Sequence, residues 1–504
     1  MRCTLTVHSG RKKRHRSSAL FTILHLSDLH RSPADPISNV DLVSALITDS
    51  QRYSEESPRI SFPDAIIVSG DLVRGVSLGS PNYPAEMQRQ YNEALELLTR
   101  LADFFVDSNH ARVILIPGNH DVDWNAARLS MATVTMDSKD IRSLLQERGS
   151  RYRWDWKNRQ LFEVTDDAAY RRRFDYFVNL YRQFYSTAPL AFPLEPTRDW
   201  NLFSLDGGNI VVAAFNSCVA NDCFNFHGEI PSTAISDSHL ALLNSHAAPK
   251  LRIAVWHHDI QGHPLRSDYM DQHSVKLMID RGYRLGLHGH QHKSEASPSF
   301  LYTAEAQQMS VVSAGSLCAA PAEIPAGFQR QYNLIEISDY AHARVHVRES
   351  QFPSIFTQGT LPGLGNPSYV DVSWTPPPSG AFVNVGRGGG ATVATLESIE
   401  RLVSLGRYPE AVLLIDEDTG TLGNAGRLLK TEALYRAGDW QRLKVHLTIP
   451  VNEDELTRVV TALINSKEFD QADKSLADAG ARGLSSALIY ELRKTVRAER
   501  TIAS

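Results

Sequence analysis

Short apolar runs alternate with longer amphipathic stretches from residue 20 to about residue 348. The runs are rich in β-branched residues, and most are bounded by glycine, proline, asparagine or aspartate, which is typical of strands. The alternation of strand and helix patterns predicts a layered α/β fold. The predicted strands are FTILHLSD, DAIIVSGD, RVILIPGNHD, NIVVAAFNS, RIAVWHHD, YRLGLHGHQH, MSVVSAGS, YNLIEIS and HARVHVRE.

The pattern changes after this region. Residues 349–390 contain many prolines and glycines without a sustained period, which predicts a linker. Residues 391–504 have helical periodicity and three similar turns, SLGRYPEA, RAGDWQRL and NSKEFDQA. The aromatic residues of these turns, Tyr408, Trp440 and Phe469, are 32 and 29 residues apart. This spacing predicts a small all-α domain of helical repeats of the tetratricopeptide type, which bind protein partners or mediate self-association.

A long insertion, residues 124–200, interrupts the strand pattern and is rich in aromatic residues and arginine. Within it, aromatic residues recur at helical spacing and predict a helix that packs one face on the core. The alternative is a cap over a functional site, in which Arg171, Arg172 and Arg173 attract phosphate groups of a nucleotide or nucleic acid. The aromatic residues are Phe174, Phe177, Tyr181 and Phe184.

Composition narrows the class of protein. The chain has 504 residues, 42% hydrophobic and 22% charged, and a net charge of −5, which argues against extensive coating of nucleic acid. Its four cysteines form no CxxC pair, so we expect buried thiols, a reducing compartment and a cytoplasmic location. We find no signal peptide and no membrane span.

The basic run RKKRHR lies in residues 1–19. We predict that these residues form a flexible arm, and the alternative is that they bind phosphate groups.

Five of the predicted strands run directly into aspartate, asparagine or histidine. Ligands collect at the carboxyl ends of strands in open α/β sheets, so these polar residues are candidates for one site. Oxygen and imidazole donors without thiolate suit manganese, iron or zinc. Residues i and i+2 on a strand share a face, and seven donors are too many for one ion but suit two ions with a bridging carboxylate. The seven donors are Asp28, His30, Asp71, Asn119, His257, His290 and His292.

These residues occur in the motifs SDLH, SGD, PGNHD, WHHD and GHQH, in that order. The set resembles the DxH, GD, GNH, lone-histidine and GHxH motifs of the calcineurin-like metallophosphoesterase superfamily. The resemblance covers residues 20–348 and implies a four-layer α/β fold, a β-sandwich flanked by helices. The segment HGEIPSTAISDSHLALLNSHAAPK is similar to one in the cyclic nucleotide phosphodiesterase branch of this superfamily, which favours a small phosphodiester substrate.

The resemblance also implies a role for each residue. Asp28, His30 and His292 would hold one ion, Asn119, His257 and His290 the other, and Asp71 would bridge them. His120 would protonate the leaving oxygen, a role that suits imidazole near neutral pH. His258 would line the substrate pocket or support a ligand, although Asp259 replaces the proline that many relatives have next. Arg74 would contact a phosphate, with a surface ion pair as its alternative.

Four other residues have two possible interpretations, one structural and one functional. We expect His25 and His288 to be satisfied histidines of strands rather than ligands. Asp121 and Asp123 would either orient His120 or a ligand, or cap loops.

The predicted function is therefore a two-metal phosphodiesterase that acts on nucleotide-type substrates. One alternative is a DNA or RNA nuclease of the same fold, supported by the basic arm and the insertion. The other is a signalling adaptor whose helical repeats bind a protein partner while the phosphoesterase fold senses a ligand; the intact donor set argues against it.

Overall fold

The computed structural model describes residues 19–374 and 399–503 of the chain. The exceptions are residues 36, 136–140, 147–148, 246, 261–267, 298–307, 321–322, 326–327, 353–354, 362–367, 400–401, 404–406, 418–422, 451, 483 and 485. The chain forms two compact units, and the main division falls between Thr375 and Pro376. Two predicted segments lie outside the described residues: the basic arm, apart from Ala19, and residues 375–390 of the linker.

The described residues of the first unit contain all nine predicted strands, together with seven others. In chain order its strands are β1 (Phe21–Leu26), β2 (Ala65–Val68), β3 (Val113–Leu115), β4 (Met131–Val134), β5 (Tyr152–Asp155), β6 (Gln160–Val164), β7 (Trp200–Leu205), β8 (Ile210–Phe215), β9 (Leu251–Val255), β10 (Leu285–His288), β11 (Glu295–Ser297), β12 (Ser310–Ser313), β13 (Gln331–Ile337), β14 (His342–Phe352), β15 (Ile355–Gln358) and β16 (Tyr369–Ser373). Its helices are α1 (Asn39–Ser50), α2 (Tyr83–Phe105), α3 (Trp124–Leu129), α4 (Ile141–Gln146), α5 (Asp167–Arg171), α6 (Asp175–Phe184), α7 (Ser232–Asn244) and α8 (Gln272–Asp280).

Two large sheets form the centre of this unit. The first has the order β15-β14-β13-β1-β2-β3, with β16 paired to β14, and the second has the order β11-β12-β10-β9-β8-β7. The strands β1, β2 and β3 run parallel to one another, as do β8, β9, β10 and β12. The carboxyl ends of the parallel strands therefore meet along one edge of each sheet.

Burial on both faces explains why the strands read as continuous apolar runs. In β8, Ile210 and Val212 belong to the core shared with β1, β2 and β3, whereas Val211 and Ala213 pack with α7 and α8 in a separate cluster. The helices α1 and α2 add Leu46 and other apolar residues to the core of the first sheet. The order helix, sheet, sheet, helix is the predicted four-layer α/β sandwich flanked by helices.

The insertion combines a small sheet with short helices. The strands β4, β6 and β5 form an antiparallel sheet that the sequence pattern does not predict. The predicted aromatic helix is α6, and Phe177, Tyr181 and Phe184 are buried in the core, as expected of a core-packing face. Arg173 is also buried, and its guanidinium donates to the carbonyl oxygens of Asn221 and Val219, so it is not available to attract a phosphate.

The first sheet continues beyond residue 348, where the motif pattern placed the end of the phosphoesterase domain. That position lies inside β14, and β16 pairs with β14 in the register His342↔Ser373 to His346↔Tyr369. Part of the proline- and glycine-rich stretch therefore belongs to the sandwich. This pairing is long-range, so the local composition of residues 349–373 gives no indication of it.

The second unit is all-α in the part of it that the structure describes. Its helices are α9 (Tyr408–Asp416), α10 (Gly423–Ala437), α11 (Trp440–His446), α12 (Glu453–Asn465), α13 (Phe469–Ala481) and α14 (Ser486–Ala503). They enclose a separate hydrophobic core that includes Leu434, Leu443, Val460 and Leu476. The aromatic residues of the three similar turns each occupy the first position of a helix, α9, α11 or α13. The assignment to the tetratricopeptide type stays a prediction.

Among the described residues, every helix is too short or too polar to cross a lipid bilayer.

Candidate functional site

The predicted site residues lie in the loops that directly follow five parallel strands. Asp28 and His30 follow β1, Asp71 follows β2, and Asn119 and His120 follow β3. From the second sheet, His257 follows β9, and His290 and His292 follow β10. Both sheets therefore contribute to one cluster at their carboxyl edges.

One group of donors comes from Asp28, His30, Asp71 and His292. A donor atom of each lies within 4.8 Å of those of the other three. The Nε2 atom of His292 lies 3.2 Å from His30 Nε2 and 3.2 Å from Asp28 Oδ1. The Oδ2 atom of Asp71 lies 3.6 Å from His30 Nε2. Oxygen and nitrogen atoms this close to one another could bind one cation together.

A second group adjoins the first. The Oδ1 atom of Asn119 lies 3.0 Å from both His257 Nε2 and His290 Nδ1. The Oδ2 atom of Asp71 lies 3.3 Å from His257 Nε2. The same oxygen of Asp71 therefore faces both groups, which is the arrangement expected of a bridging carboxylate.

Hydrogen bonds to backbone carbonyl groups fix the orientation of three imidazole rings. The Nδ1–H group of His257 donates to the Ser69 carbonyl (2.8 Å), and that of His292 donates to the Glu323 carbonyl (2.8 Å). The Nδ1–H group of His120 donates to the Arg74 carbonyl (2.7 Å). A carbonyl oxygen can only accept, so Nδ1 bears the proton in each ring. The Nε2 lone pair is then left for a cation or a proton.

The carboxylates are held in a similar way, with one oxygen bound and the other directed into the cluster. The Oδ2 atom of Asp28 accepts from the His290 amide (3.0 Å), and the Oδ1 atom of Asp71 accepts from the His120 amide (2.8 Å). The Oδ1 atom of Asp28 is buried and faces His292 Nε2 at 3.2 Å, and no other protein group donates a hydrogen bond to it. When His292 Nε2 carries no proton, this buried carboxylate oxygen lacks a donor, and a cation fits as its partner.

The backbone at these positions is unusual. Five donor residues have positive φ angles between 43° and 75°, a backbone region that residues other than glycine seldom occupy. They are Asp28, His30, Asp71, His290 and His292. Glycines beside these residues make room for them. A Cβ atom on Gly118 would lie 2.1 Å from Asp71 Oδ1, and one on Gly289 would lie 1.7 Å from Ser27 Oγ. Gly70 itself has a φ of +97°.

The charges of the cluster favour cations. Burial raises the pKa of Asp28 and Asp71, but the surrounding histidines together outweigh it, chiefly His292 at Asp28 and His257 at Asp71, and hold both pKa values below their ordinary range. In turn, burial lowers the pKa of His257 and His292, but the two carboxylates together with hydrogen bonds to backbone carbonyls raise it to about 9 in each. Without a metal, protons on these histidines balance the carboxylates. Divalent cations would supply that positive charge instead.

The donor set thus fits two divalent cations. Asp28, His30 and His292 could hold one, Asn119, His257 and His290 the other, and Asp71 could contact both.

His258 does not fit the predicted contact with substrate. Its side chain has no exposed surface, and its Nδ1 atom lies 2.9 Å from Ser217 Oγ. Its ring centroid lies 4.9 Å from that of His290, and a Cβ atom on Gly228 would come within 2.5 Å of the ring. The packing favours the other interpretation, in which His258 supports the donor His290.

Arg74 lies beside the cluster and is half exposed. Its guanidinium pairs with Glu323 at 3.4 Å, the ion pair that was the alternative to phosphate binding. Its backbone carbonyl accepts the hydrogen bond from His120, so the residue also orients the predicted proton donor.

The other singled-out residues have structural partners. His25 Nε2 lies 3.0 Å from Ser69 Oγ, although His25 Nδ1 is buried without a hydrogen-bond partner, and His288 Nδ1 lies 3.1 Å from the Gly289 carbonyl. Asp123 caps α3 through the amides of Asn125 and Ala126. Asp121 accepts from the amides of Leu72 and Gly118 and so joins two ligand loops, while burial raises its pKa to about 7.

Three supporting residues were not predicted. Ser217 Oγ accepts from the His257 amide (3.1 Å) and contacts His258, and only its position at the end of a strand, in AAFNS, could have indicated it. Asp268 Oδ2 lies 3.7 Å from His290 Nε2. Glu323 contacts His292 through its backbone, and no local pattern marks either of these acidic residues.

The family model for the calcineurin-like phosphoesterases matches residues 21–294, more than half of the chain. No curated protein matches the chain. A solved dimetal phosphatase from Danio rerio is 9% identical, with a TM-score of 0.38, and the match covers 71% of this chain and 100% of that one.

Two further solved structures are similar at a comparable level. A purple acid phosphatase from yellow lupin (Lupinus luteus) is 11% identical, with a TM-score of 0.37 and coverage of 70% of this chain and 53% of that one. A calcineurin-like phosphoesterase from Bacillus subtilis is 12% identical, with a TM-score of 0.29 and coverage of 70% and 90%. The match of the family model over both halves of the donor cluster shows that this chain belongs to the calcineurin-like phosphoesterase family.

Proposed function

We propose that this protein is a two-metal phosphodiesterase that acts on nucleotide-type substrates. The observation that carries the proposal is the position of Asp71 Oδ2, which lies 3.6 Å from His30 Nε2 and 3.3 Å from His257 Nε2. One carboxylate oxygen thereby belongs to two adjacent donor groups. When bound, two divalent ions supply Lewis acidity at the phosphoryl oxygens and lower the pKa of water.

The protein's own side chains would orient the reacting groups and transfer protons. His120 is half-buried, and its ring centroid lies 4.6 Å from that of His30, beside the first donor group. With Nδ1–H bound to the Arg74 carbonyl, the Nε2 atom is the one that can carry a proton to the departing oxygen of a phosphoester. The intact donor set also favours catalysis over a purely ligand-sensing adaptor.

The experiment measures hydrolysis of bis-p-nitrophenyl phosphate by the full chain with manganese, iron or zinc, together with bound metal. For Asp71→Ala we expect loss of metal and of activity, because both donor groups lose their shared oxygen. For His120→Ala we expect retained metal and at least a tenfold lower kcat, since positioned acids contribute about 10²- to 10⁴-fold.

The matched control is His110→Ala, a histidine of the same unit that contacts Phe184 instead of the cluster. We expect normal metal content and normal rates for it. Wild-type metal content and rates in both site variants would overturn the proposal.

A nuclease is the second candidate, and one feature of the insertion favours it. Trp156, at the turn between β5 and β6, is 82% exposed and is followed by the exposed Lys157 and Arg159. Asp155 accepts from the amides of Lys157 and Asn158 and holds this turn in place. An exposed indole beside two cations is suited to stacking on a base and contacting phosphates of a single strand.

The two candidates differ in their substrates. The proposed phosphodiesterase hydrolyses cyclic nucleotides and leaves single-stranded and duplex DNA intact. Degradation of polynucleotide alone, slowed about tenfold by Trp156→Ala, would replace the proposal with the nuclease.

A further inference from the structure

Glu323 lies at the rim of the donor cluster in a position that its backbone fixes. Its carbonyl oxygen accepts the Nδ1–H of His292 at 2.8 Å, and its Oε2 atom accepts from the Ala320 amide at 3.0 Å. The side chain is 29% exposed, so its charge is partly open to solvent. The carboxylate is thus held beside a donor of the cluster without itself belonging to the seven donors.

Among the described residues, Arg74 is the only cationic side chain that forms an ion pair with this carboxylate. The Oε1 atom of Glu323 lies 3.4 Å from a guanidinium nitrogen of Arg74, which is 48% exposed. The Arg74 carbonyl in turn orients His120. The ion pair therefore spans the rim between the predicted proton donor and a predicted ligand, but a pair this exposed is weak, about 0 to 1 kcal/mol. An incoming phosphate can compete for the arginine.

We propose that Glu323 is a specificity-determining residue that disfavours phosphomonoesters relative to phosphodiesters at this site. The proposal rests on the proposed phosphoester hydrolysis and concerns which ester is preferred. When a phosphate approaches Arg74, it also approaches the fixed negative charge of Glu323.

The difference in substrate charge supplies the selectivity. A diester carries one negative charge at neutral pH, whereas a monoester carries about −1.5 to −2, since its second pKa is about 6. The repulsion by Glu323 grows with the charge on the substrate, and the monoester is disfavoured more. The Glu323 carboxylate accepts a hydrogen bond from the Ala320 amide and pairs with Arg74, and both contacts favour its ionised form. The group is therefore charged at neutral pH.

The test compares kcat/KM for bis-p-nitrophenyl phosphate and p-nitrophenyl phosphate in the metal-loaded full chain. For Glu323→Gln, which keeps the backbone carbonyl and an acceptor for the Ala320 amide, we expect the diester-to-monoester ratio to fall about three- to tenfold. Glu323→Asp keeps the charge, and its ratio should stay close to that of the wild type. Raising the salt concentration should reduce the difference between wild type and Glu323→Gln, because salt screens exposed charges.

The matched control is Asp371→Asn, which removes the carboxylate of another arginine pair, with Arg344, on β16. Its ratio should not change. An unchanged ratio in Glu323→Gln, or rates for both esters that fall in parallel with metal content, would overturn the role of Glu323 while the phosphodiesterase proposal stands. If the wild type hydrolyses neither ester with any of the metals, the proposed function fails and this inference fails with it.

Discussion

At the residue scale, the cluster depends on backbone conformations that most side chains avoid. Asp28, His30 and Asp71 have φ angles of 51°, 43° and 52°. Such conformations cost on the order of 1 to 3 kcal/mol each and persist only when neighbouring contacts enforce them. Here the loops after β1 and β2 lie side by side: the Asp28 amide donates to the Gly70 carbonyl at 3.1 Å, and the His30 amide donates to the Asp71 carbonyl at 3.0 Å. These bonds hold the loops in the conformation that directs the carboxylates inward.

The close packing at Gly289 gives a prediction at this scale. A Cβ atom there would lie 1.7 Å from Ser27 Oγ and 2.6 Å from Asp28 Oδ2, so Gly289→Ala must displace a predicted ligand. We expect at least a tenfold loss of activity and reduced metal content, measured by turnover and metal analysis. Gly480→Ala is the control, since its nearest neighbour outside its own helix, Ile489 Cδ1, lies at an ordinary 3.5 Å. Normal metal content and activity in Gly289→Ala would contradict the described packing.

At the scale of elements, the strands differ in how clearly the sequence pattern predicts them. The strands β1, β2, β3, β9 and β10 combine an apolar run with a polar end, and this local signal is sufficient to predict them and the donor residues. The strands β4, β5 and β6 lie in an arginine- and tryptophan-rich insertion, where the apolar alternation is broken. Glu323 and Ser217 contact the cluster only through the tertiary fold. Local patterns therefore predict the donors and the neighbouring supports His258 and Asp121, but not supports from distant segments such as Ser217 and Glu323.

A buried charge on β13 gives a prediction for the first sheet. Glu336 Oε2 lies 2.9 Å from His346 Nε2 on β14, and its Oε1 atom accepts from the Ser61 amide at 2.8 Å. Burial raises the pKa of Glu336, but the hydrogen bonds from His346 and Ser61 outweigh it and hold the pKa below the usual 4.5. Because the pKa is lower in the folded than in the unfolded state, ionised Glu336 stabilises the fold above pH 4.5. That stabilisation is lost as the pH falls through the lowered value.

We therefore expect Glu336→Gln to lower the free energy of unfolding by about 1 to 2 kcal/mol at pH 7, measured by urea denaturation. The difference from wild type should shrink as the pH is lowered below 4.5. A difference that is independent of pH would show that the charge of Glu336 does not cause it. Asp371→Asn, at an exposed carboxylate of β16, should cost less at pH 7.

At the scale of the whole molecule, the chain combines a four-layer α/β unit with an all-α unit, each with its own hydrophobic core. The donor cluster draws on both sheets of the first unit alone. Cations that bind only the folded cluster stabilise that unit by mass action, by about 2.7 kcal/mol when their free concentration is a hundred times Kd.

Chelation should consequently affect the two units differently. We expect EDTA to lower the Tm of the first unit by several degrees and to leave the transition of the helical unit unchanged, as measured by scanning calorimetry of the full chain. In Asp71→Ala the EDTA effect should disappear. An equal effect of EDTA on wild type and Asp71→Ala would mean that the stabilising ions bind elsewhere.

The division of the donors between the sheets also sets an order of events during synthesis. The ribosome makes the amino end first, so Asp28, His30, Asp71 and Asn119 emerge long before the donors that follow β9 and β10. The bond from the His290 amide to Asp28 Oδ2, which joins the earliest and latest of these segments, cannot form until translation has passed residue 290. A nascent chain that stalls within the insertion would expose half of an ion pocket, and the complete pocket can arise only after the second sheet has assembled.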